Sequence, residues 1–192
     1  ASGLHFDDNP YAPERRHVAQ DIGMQMLAYA TGETPEQFEP LRATVFSHLT
    51  PFTTGDAAVI DAEERVLLIQ RADTQRWALP GGALEVGETP AEGVVREALE
   101  ETGVRSCPLA FVGVFDSLRC GSASRHHMYH FLFLCQPLEL PADQPPSHAR
   151  ETLGNGWFSE EDLPTEIEPG HEIRIREAFR MWRGDPKPFF DI

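Results

Sequence analysis

Residues 77–104 read WALPGGALEVGETPAEGVVREALEETGV, a turn-rich loop running into a short helix thick with carboxylates. The helix start is written in Thr89-Pro90-Ala91-Glu92. A threonine hydroxyl caps, proline suits the first helical position, and a glutamate at the third closes a capping box. Gly103 stops the helix in a left-handed conformation that glycine adopts without a Cβ penalty. The helix therefore spans about 90 to 102, with Ala91, Val94, Val95, Ala98 and Thr102 at helical spacing toward a core. Glu97, Glu100 and Glu101, at i, i+3 and i+4, share an arc of roughly 100° beside that apolar side.

Three carboxylates so placed repel one another, and stability alone does not select them. A hard divalent cation removes the repulsion, because Mg2+ prefers carboxylate and water oxygens and bridges to phosphate oxygens. The LPGG turn lets the backbone bend closely and offers a carbonyl, that of Gly81, to the same ion. A solvated charged face accounts for most glutamate clusters taken alone. It does not account for the glycine turn, both caps and the spacing together.

Counted from Gly82, the stretch has five residues, Glu88, seven residues, Arg96-Glu97, Ala98, Leu99, Glu100-Glu101, Thr102, Gly103 and Val104. This spacing resembles the signature box of the Nudix hydrolases, with each fixed position filled. The resemblance implies an α/β/α sandwich on a mixed sheet. It also implies hydrolysis, with Mg2+ as cofactor and Mn2+ able to replace it, of substrates built as a nucleoside diphosphate linked to a group X. Glu97, Glu100 and Glu101 then hold metal together with Gly81. Glu88 and Arg96 form an ion pair bracing the loop against the helix, with Gly82 and Gly103 as structural positions of the box. Glu85 stands in an outer shell around the metal.

Composition bounds the rest. A chain of 192 residues suits one domain with a small appendage. With 41% hydrophobic and 24% charged residues it reads as a soluble globular protein. No apolar run approaches the ~20 residues that span a bilayer, and no signal-peptide pattern opens the sequence. Cys107, Cys120 and Cys135 form no C-x-x-C pair and read as reduced thiols, which points to the cytoplasm. A net charge of −15 lacks the basic footprint of a nucleic-acid binder, so a small nucleotide held through metal fits better than stable RNA or DNA binding.

Residues 1–49 form an N-terminal extension and 50–192 the main domain. After an unpatterned segment, residues ~13–30 carry Val18, Ile22, Met26 and Tyr29 at helical spacing and end at Thr31-Gly32. A second helix starts at Thr34-Pro35-Glu36-Gln37 and carries Phe38, Leu41, Val45, Phe46 and Leu49, with Pro40 disturbing its early part. This helical hairpin is too small to bury a core alone and needs another surface. A hairpin ahead of such a domain resembles the CDP-choline pyrophosphatase subgroup, which implies a homodimer and a lean toward CDP-choline-like substrates. ADP-ribose or nucleoside triphosphate hydrolysis are the alternatives within enzymes. A ligand-sensing module that binds without hydrolysis is the alternative outside them, and the full carboxylate set argues against it.

Residues 50–55 break the second helix and enter the main domain; 57–60 and 66–69 read as strands around a polar turn. Further strands run over 109–115 and 129–135, a proline-rich loop over 137–147, and a final helix over about 170–183. By resemblance, Glu151, six residues before Trp157, serves as a further metal ligand or general base. Arg71, Trp77 and Asp116 are weaker substrate candidates near the probable cleft. His126, His127 and His130 read as a substrate-pocket edge or ordinary surface rather than a metal site, because strand neighbours point to opposite faces. No dinucleotide-binding glycine motif, P-loop or nucleophile elbow is present.

Overall fold

A computed structural model describes residues 12–44, 50–138 and 151–192. Two compact units emerge, one up to residue 51 and one from residue 52 onward.

The first unit holds α1 (Ala12–Thr31), a 3-10 turn (Pro35–Phe38) and α2 (Glu39–Thr44). Gln37 closes the expected capping box by accepting from the Thr34 N–H at 2.7 Å. Pro40 falls in the first turn of α2, where its missing N–H costs nothing, so the single expected helix becomes two short pieces. Val45, Phe46 and Leu49 lie outside the described residues. Arg42 ties α2 to α1, donating to Asp21, to Gln20 Oε1 at 3.3 Å and to Glu39 of its own helix. The buried row of α1 is Gln20, Met24 and Ala28. The row expected to face a core, Val18, Ile22, Met26 and Tyr29, is exposed. Two residues of offset turn a helix by roughly 200°, so the two rows look in nearly opposite directions.

In the second unit, β1 (Phe52–Val59), β4 (Gly81–Ala83), β5 (Ser106–Asp116), β6 (Met128–Pro137) and β8 (Phe189–Phe190) form a five-stranded sheet in the order β4-β1-β6-β5-β8. It is mixed: β1 runs parallel to β6 and antiparallel to β4, and β5 is antiparallel to β6 and parallel to β8. A second sheet, in the order β3-β2-β7, contains β2 (Arg65–Arg71), β3 (Trp77–Ala78) and β7 (Thr152–Ser159). Two helices complete the unit, α3 (Pro90–Thr102) and α4 (His171–Trp182).

The sequence of β1 explains the layering. Its side chains alternate, and both faces are buried. Ala57 and Val59 join Leu67, Val94, Ala98 and Cys135 in a core under α3. Ala58, with Ile60 just beyond the strand, joins Leu68, Val112, Leu132, Ile175 and Phe179 in a larger core that includes α4. This is the expected α/β/α sandwich on a mixed sheet. The strand begins at Phe52, inside the segment expected to be a break, because pairing with β6 from Phe52↔Met128 onward overrides the weak local signal of Thr53-Thr54-Gly55. The turn at LPGG is similarly flanked by short strands, β3 pairing β2 and β4 pairing β1. Most of the expected loop over 137–147 lies outside the described residues.

Candidate active site

Helix α3 is held at both ends as its sequence requires. Thr89 Oγ1 accepts from the Glu92 N–H at 3.3 Å, and Glu92 Oε2 accepts from the Thr89 N–H at 2.8 Å. Gly103 sits at φ 74° and donates its N–H to Leu99 O at 2.8 Å. Both contacts fix the rotation of the helix, and therefore where its carboxylates point.

Arg96 is the hub of the loop. It grips Glu88 with two bonds, Nη2 to Oε1 at 2.9 Å and Nε to Oε2 at 3.1 Å, and reaches Ala83 O at 3.2 Å. Its Nη1 also donates to Glu97 Oε1 at 2.9 Å and to Glu100 Oε2 at 3.1 Å. Glu88 in turn accepts from the Glu85 N–H at 2.6 Å, and the Arg96 guanidinium holds the Glu88 carboxyl down at about 2. The brace expected between Glu88 and Arg96 is therefore present. One guanidinium also offsets part of the repulsion among the helix carboxylates. The Glu85 side chain is exposed.

Glu101 is different. Only 7% of it is exposed, and its Oε2 accepts from the Gly81 N–H at 2.9 Å. It is thus the Gly81 amide, not its carbonyl, that meets a site carboxylate. Burial pushes the Glu101 carboxyl up to about 7 against that hydrogen bond; Glu97 and Glu151 add to the rise, and Arg71 opposes it. Glu97, 9% exposed, lies against Gly82, where a Cβ would come within 2.8 Å of its carboxyl carbon. The absence of a side chain at Gly82 leaves the room that carboxylate occupies.

The raised Glu101 carboxyl has a measurable consequence. Between its ordinary value of 4.5 and about 7, the folded protein holds a proton that the unfolded chain releases. Stability conferred by that proton is complete below 4.5 and is lost as pH rises through 7. In metal-free buffer, thermal unfolding from pH 4.5 to 8 should show a loss of about 3 kcal/mol in the wild type relative to Glu101→Gln. Parallel pH curves for the two proteins would refute the assignment.

Glu151 is carried into the same place by β7. Its carbonyl accepts from the Ala72 N–H at 2.9 Å, just past an irregularity in the β2–β7 pairing at Gln70/Arg71. With Arg71, Asp73 and Glu101 it lines a recess of about 330 Å³. Arg71 is held by Asp73 through bonds of 2.9 and 2.6 Å. It lines both this recess and a larger cleft of about 500 Å³ that also touches Gly81 and Gly82.

Two weaker candidates stand elsewhere. Trp77 packs edge-on against Phe158 at 4.8 Å beside the main core and lines neither cleft. Asp116 caps the turn after β5, accepting from the Leu118 N–H at 2.8 Å and lying 3.2 Å from His127 Nε2, and also lines neither cleft. The larger cleft is instead lined by His130, one of the histidines expected at a pocket edge or surface, and by Thr54, Asp56, His171 and Arg174, which the sequence does not mark as a site. The one local signal is Asp56, a carboxylate inside the apolar run of β1.

Among the described residues, no three His, Cys, Asp or Glu side chains stand close enough to share an ion as they are placed. Glu97 and Glu100 are engaged by Arg96, and Glu101 by Gly81. The donor set is nonetheless that of a hard cation: all oxygen, and anchored on one helix. The buried Glu101 carboxylate, costly to ionise alone, would be stabilised by a divalent charge beside it. The residues fit a Mg2+ or Mn2+ ion.

The NUDIX domain family matches residues 52–178. The ADP-ribose pyrophosphatase of Methanocaldococcus jannaschii is 31% identical over 142 residues, covering 71% of this chain and 78% of its own. Among solved structures, a UDP-X diphosphatase is similar with a TM-score of 0.65 and 26% identity, over 98% of this chain and 91% of its own. An ADP-ribose pyrophosphatase from Streptococcus suis has a TM-score of 0.63 and 29% identity, over 74% of this chain and 100% of its own.

Proposed function

The chain belongs to the NUDIX family, and from that premise we propose that it hydrolyses the diphosphate bond of a nucleoside diphosphate linked to X, releasing a nucleoside monophosphate and phospho-X with Mg2+ as cofactor. The observation that carries this reading is the buried Glu101 carboxyl, which accepts from the Gly81 N–H, is influenced by Glu97, Arg71 and Glu151, and lines the smaller recess. Glu97, Glu100 and Glu101 would hold the metal. When bound, it neutralises phosphate charge and lowers the pKa of water. Arg71, which lines both clefts, would meet a phosphate oxygen. Glu151, which lines the recess with Glu101, would take the proton of the attacking water.

The lean toward CDP-choline rests on the N-terminal hairpin alone. The UDP-X diphosphatase supports a related choice, since its likeness extends over 98% of this chain, hairpin included. A pyrimidine nucleoside diphosphate carrying X is therefore the first substrate class to test. ADP-ribose is the second, because the two ADP-ribose pyrophosphatases named above are similar to this chain.

The exposed row Val18, Ile22, Met26 and Tyr29 supports a homodimer in which a second copy covers it. No helix among the described residues is long and apolar enough to cross a membrane. The three cysteines are free, which supports the cytoplasmic reading.

Chromatographic product analysis tests the reaction, with and without EDTA, on CDP-choline, UDP-glucose, ADP-ribose, diadenosine polyphosphates and nucleoside triphosphates. Metal-dependent release of a nucleoside monophosphate from one of them is expected. Tight binding of a compound with no turnover would replace the hydrolase by a ligand-sensing module.

A further inference from the structure

The wall of the larger cleft carries a carboxylate that the proposed hydrolysis does not use. Glu168 stands in the segment leading into α4 and lines the cleft together with Arg71, Asp73 and Thr74. Its backbone is pinned on both sides. The N–H donates to Trp77 O at 2.8 Å, and the carbonyl accepts from the His171 N–H at 3.0 Å. The side chain is held as well, because Oε2 accepts from Thr74 Oγ1 at 2.8 Å, a contact between residues 94 positions apart. The other oxygen, Oε1, accepts nothing among the described residues and is not buried. One oxygen fixes this half-buried carboxylate, and the second is left open.

The neighbouring carboxylates are already answered. Asp73 receives Arg71 on both oxygens, at 2.9 and 2.6 Å, and its Oδ1 also accepts from the Thr74 N–H at 2.8 Å. Asp56, 5% exposed, is paired with Arg174. Arg71 keeps Nη1 without a hydrogen bond among the described residues. Asp73 holds the Arg71 guanidinium above its ordinary range, and the charge of Glu168 adds to this. An uncommitted guanidinium nitrogen and an uncommitted carboxylate oxygen therefore stand within electrostatic reach of each other.

These two groups select the ligand. An ionised carboxylate only accepts, so the ligand must bring donors to Glu168. A diphosphate linkage brings none and is repelled there, which leaves its place at Arg71. A cation gains little from a carboxylate that has Arg71 beside it, and it finds no Phe, Tyr or Trp face among the lining residues. Sugar hydroxyls satisfy both groups: they donate to Oε1, carry no charge, and are covalently tied to a phosphate. A carboxylate on a ribose hydroxyl is also how dinucleotide-binding folds hold their nucleosides.

Resting on the hydrolase reading above, we propose that Glu168 accepts from the vicinal hydroxyls of a sugar flanking the diphosphate, so that the protein selects sugars bearing a 2-hydroxyl over their deoxy counterparts. Glu168 is then a specificity-determining residue, and Thr74 positions it. The sugar is either the ribose of the nucleoside or the sugar of X, since both offer the same chemistry.

Calorimetric titration of the full chain tests this in EDTA, which stops metal-dependent turnover. The probes are CMP, UMP, AMP and GMP beside their 2′-deoxy counterparts, and UDP-glucose beside UDP-2-deoxyglucose. Within at least one pair the hydroxylated member should bind about tenfold or more tightly, the worth of one hydrogen bond to a charged group. A margin among the nucleotides assigns the nucleoside ribose, and a margin confined to the UDP-sugars assigns X. Glu168→Leu should bring the ratio near one, whichever way absolute affinity moves, whereas Glu168→Gln, whose amide oxygen still accepts, should keep part of it. Thr74→Val should lower the ratio, and Thr74→Ser, which keeps the hydroxyl, should preserve it. A merely structural role would weaken both members of a pair alike. No margin in any pair, absence of binding included, or a margin that survives Glu168→Leu would overturn the proposal. So would a Glu168-dependent preference for phosphocholine over glycerol 3-phosphate without a sugar margin, which would make the wall a cation site. Turnover is measured separately: hydrolysis without a hydroxyl margin sinks only this inference, and a margin without hydrolysis sinks only the hydrolase.

Discussion

Glu101→Gln is expected to lower metal-dependent turnover by at least about 100-fold while the protein stays folded. Loss of a residue that merely orients a metal ligand costs roughly 10–100-fold, and loss of a ligand charge should cost no less. The amide keeps the size of the side chain, and its oxygen can still accept from the Gly81 N–H that now meets Glu101 Oε2 at 2.9 Å. The loop should therefore hold its shape. Above pH 7 the variant should even be the more stable protein without metal, because the neutral amide avoids the cost of burying a charge, the cost that pushes the carboxyl up to about 7. The two effects point in opposite directions, and that separates a damaged site from a damaged fold. The decisive measurement is kcat and KM for the best substrate against Mg2+ concentration, beside a thermal scan of the same preparation. Turnover retained at saturating Mg2+ would remove Glu101 from the metal site; turnover lost together with the fold would leave the Gly81 contact as its only role.

What made this part of the molecule readable was its locality. The two caps of α3 and the Glu88–Arg96 brace depend on residues within twenty positions of one another. Spacing therefore specifies them. Spacing does not show the further contacts these groups make: Gly81 also offers its N–H to Glu101, and Arg96 reaches Glu97 and Glu100 as well as Glu88. In α1 the apolar spacing of Val18, Ile22 and Met26 was legible, but periodicity identifies a face without saying what covers it. The short strands β3, β4 and β8 exist by pairing alone, two or three residues each, and leave no pattern to detect. The cleft floor was hidden for a related reason. Asp56, His130 and Arg174 lie up to 118 positions apart and meet only when β1, β6 and α4 have packed.

That distance in sequence is also why Arg174→Met should be among the most destabilising changes in the molecule. Arg174 is the largest fully buried side chain among the described residues, and its guanidinium answers the Asp56 carboxylate, itself 5% exposed. Methionine fills much of the volume but leaves Asp56 buried without its counter-charge, a loss of about 3–5 kcal/mol. For a chain of this size that lowers the melting temperature by roughly 10 °C. Removing both partners is a different matter, since an apolar pair of similar volume is often as stable as the ion pair it replaces. Asp56→Leu with Arg174→Met should thus recover most of the loss, and the double-mutant cycle should be strongly non-additive. His130 gives the prediction a pH signature. Its Nδ1 lies 3.7 Å from Asp56 Oδ2, and Arg174 is one of the charges that keep the ring neutral. With Arg174 gone, the His130 ring should titrate higher and supply a replacement positive charge, so the single variant should lose less stability at pH 5 than at pH 8. Chemical denaturation of the four proteins at both pH values decides it. An additive cycle, or a single-variant loss under about 1 kcal/mol, would mean that the pair is solvated rather than buried.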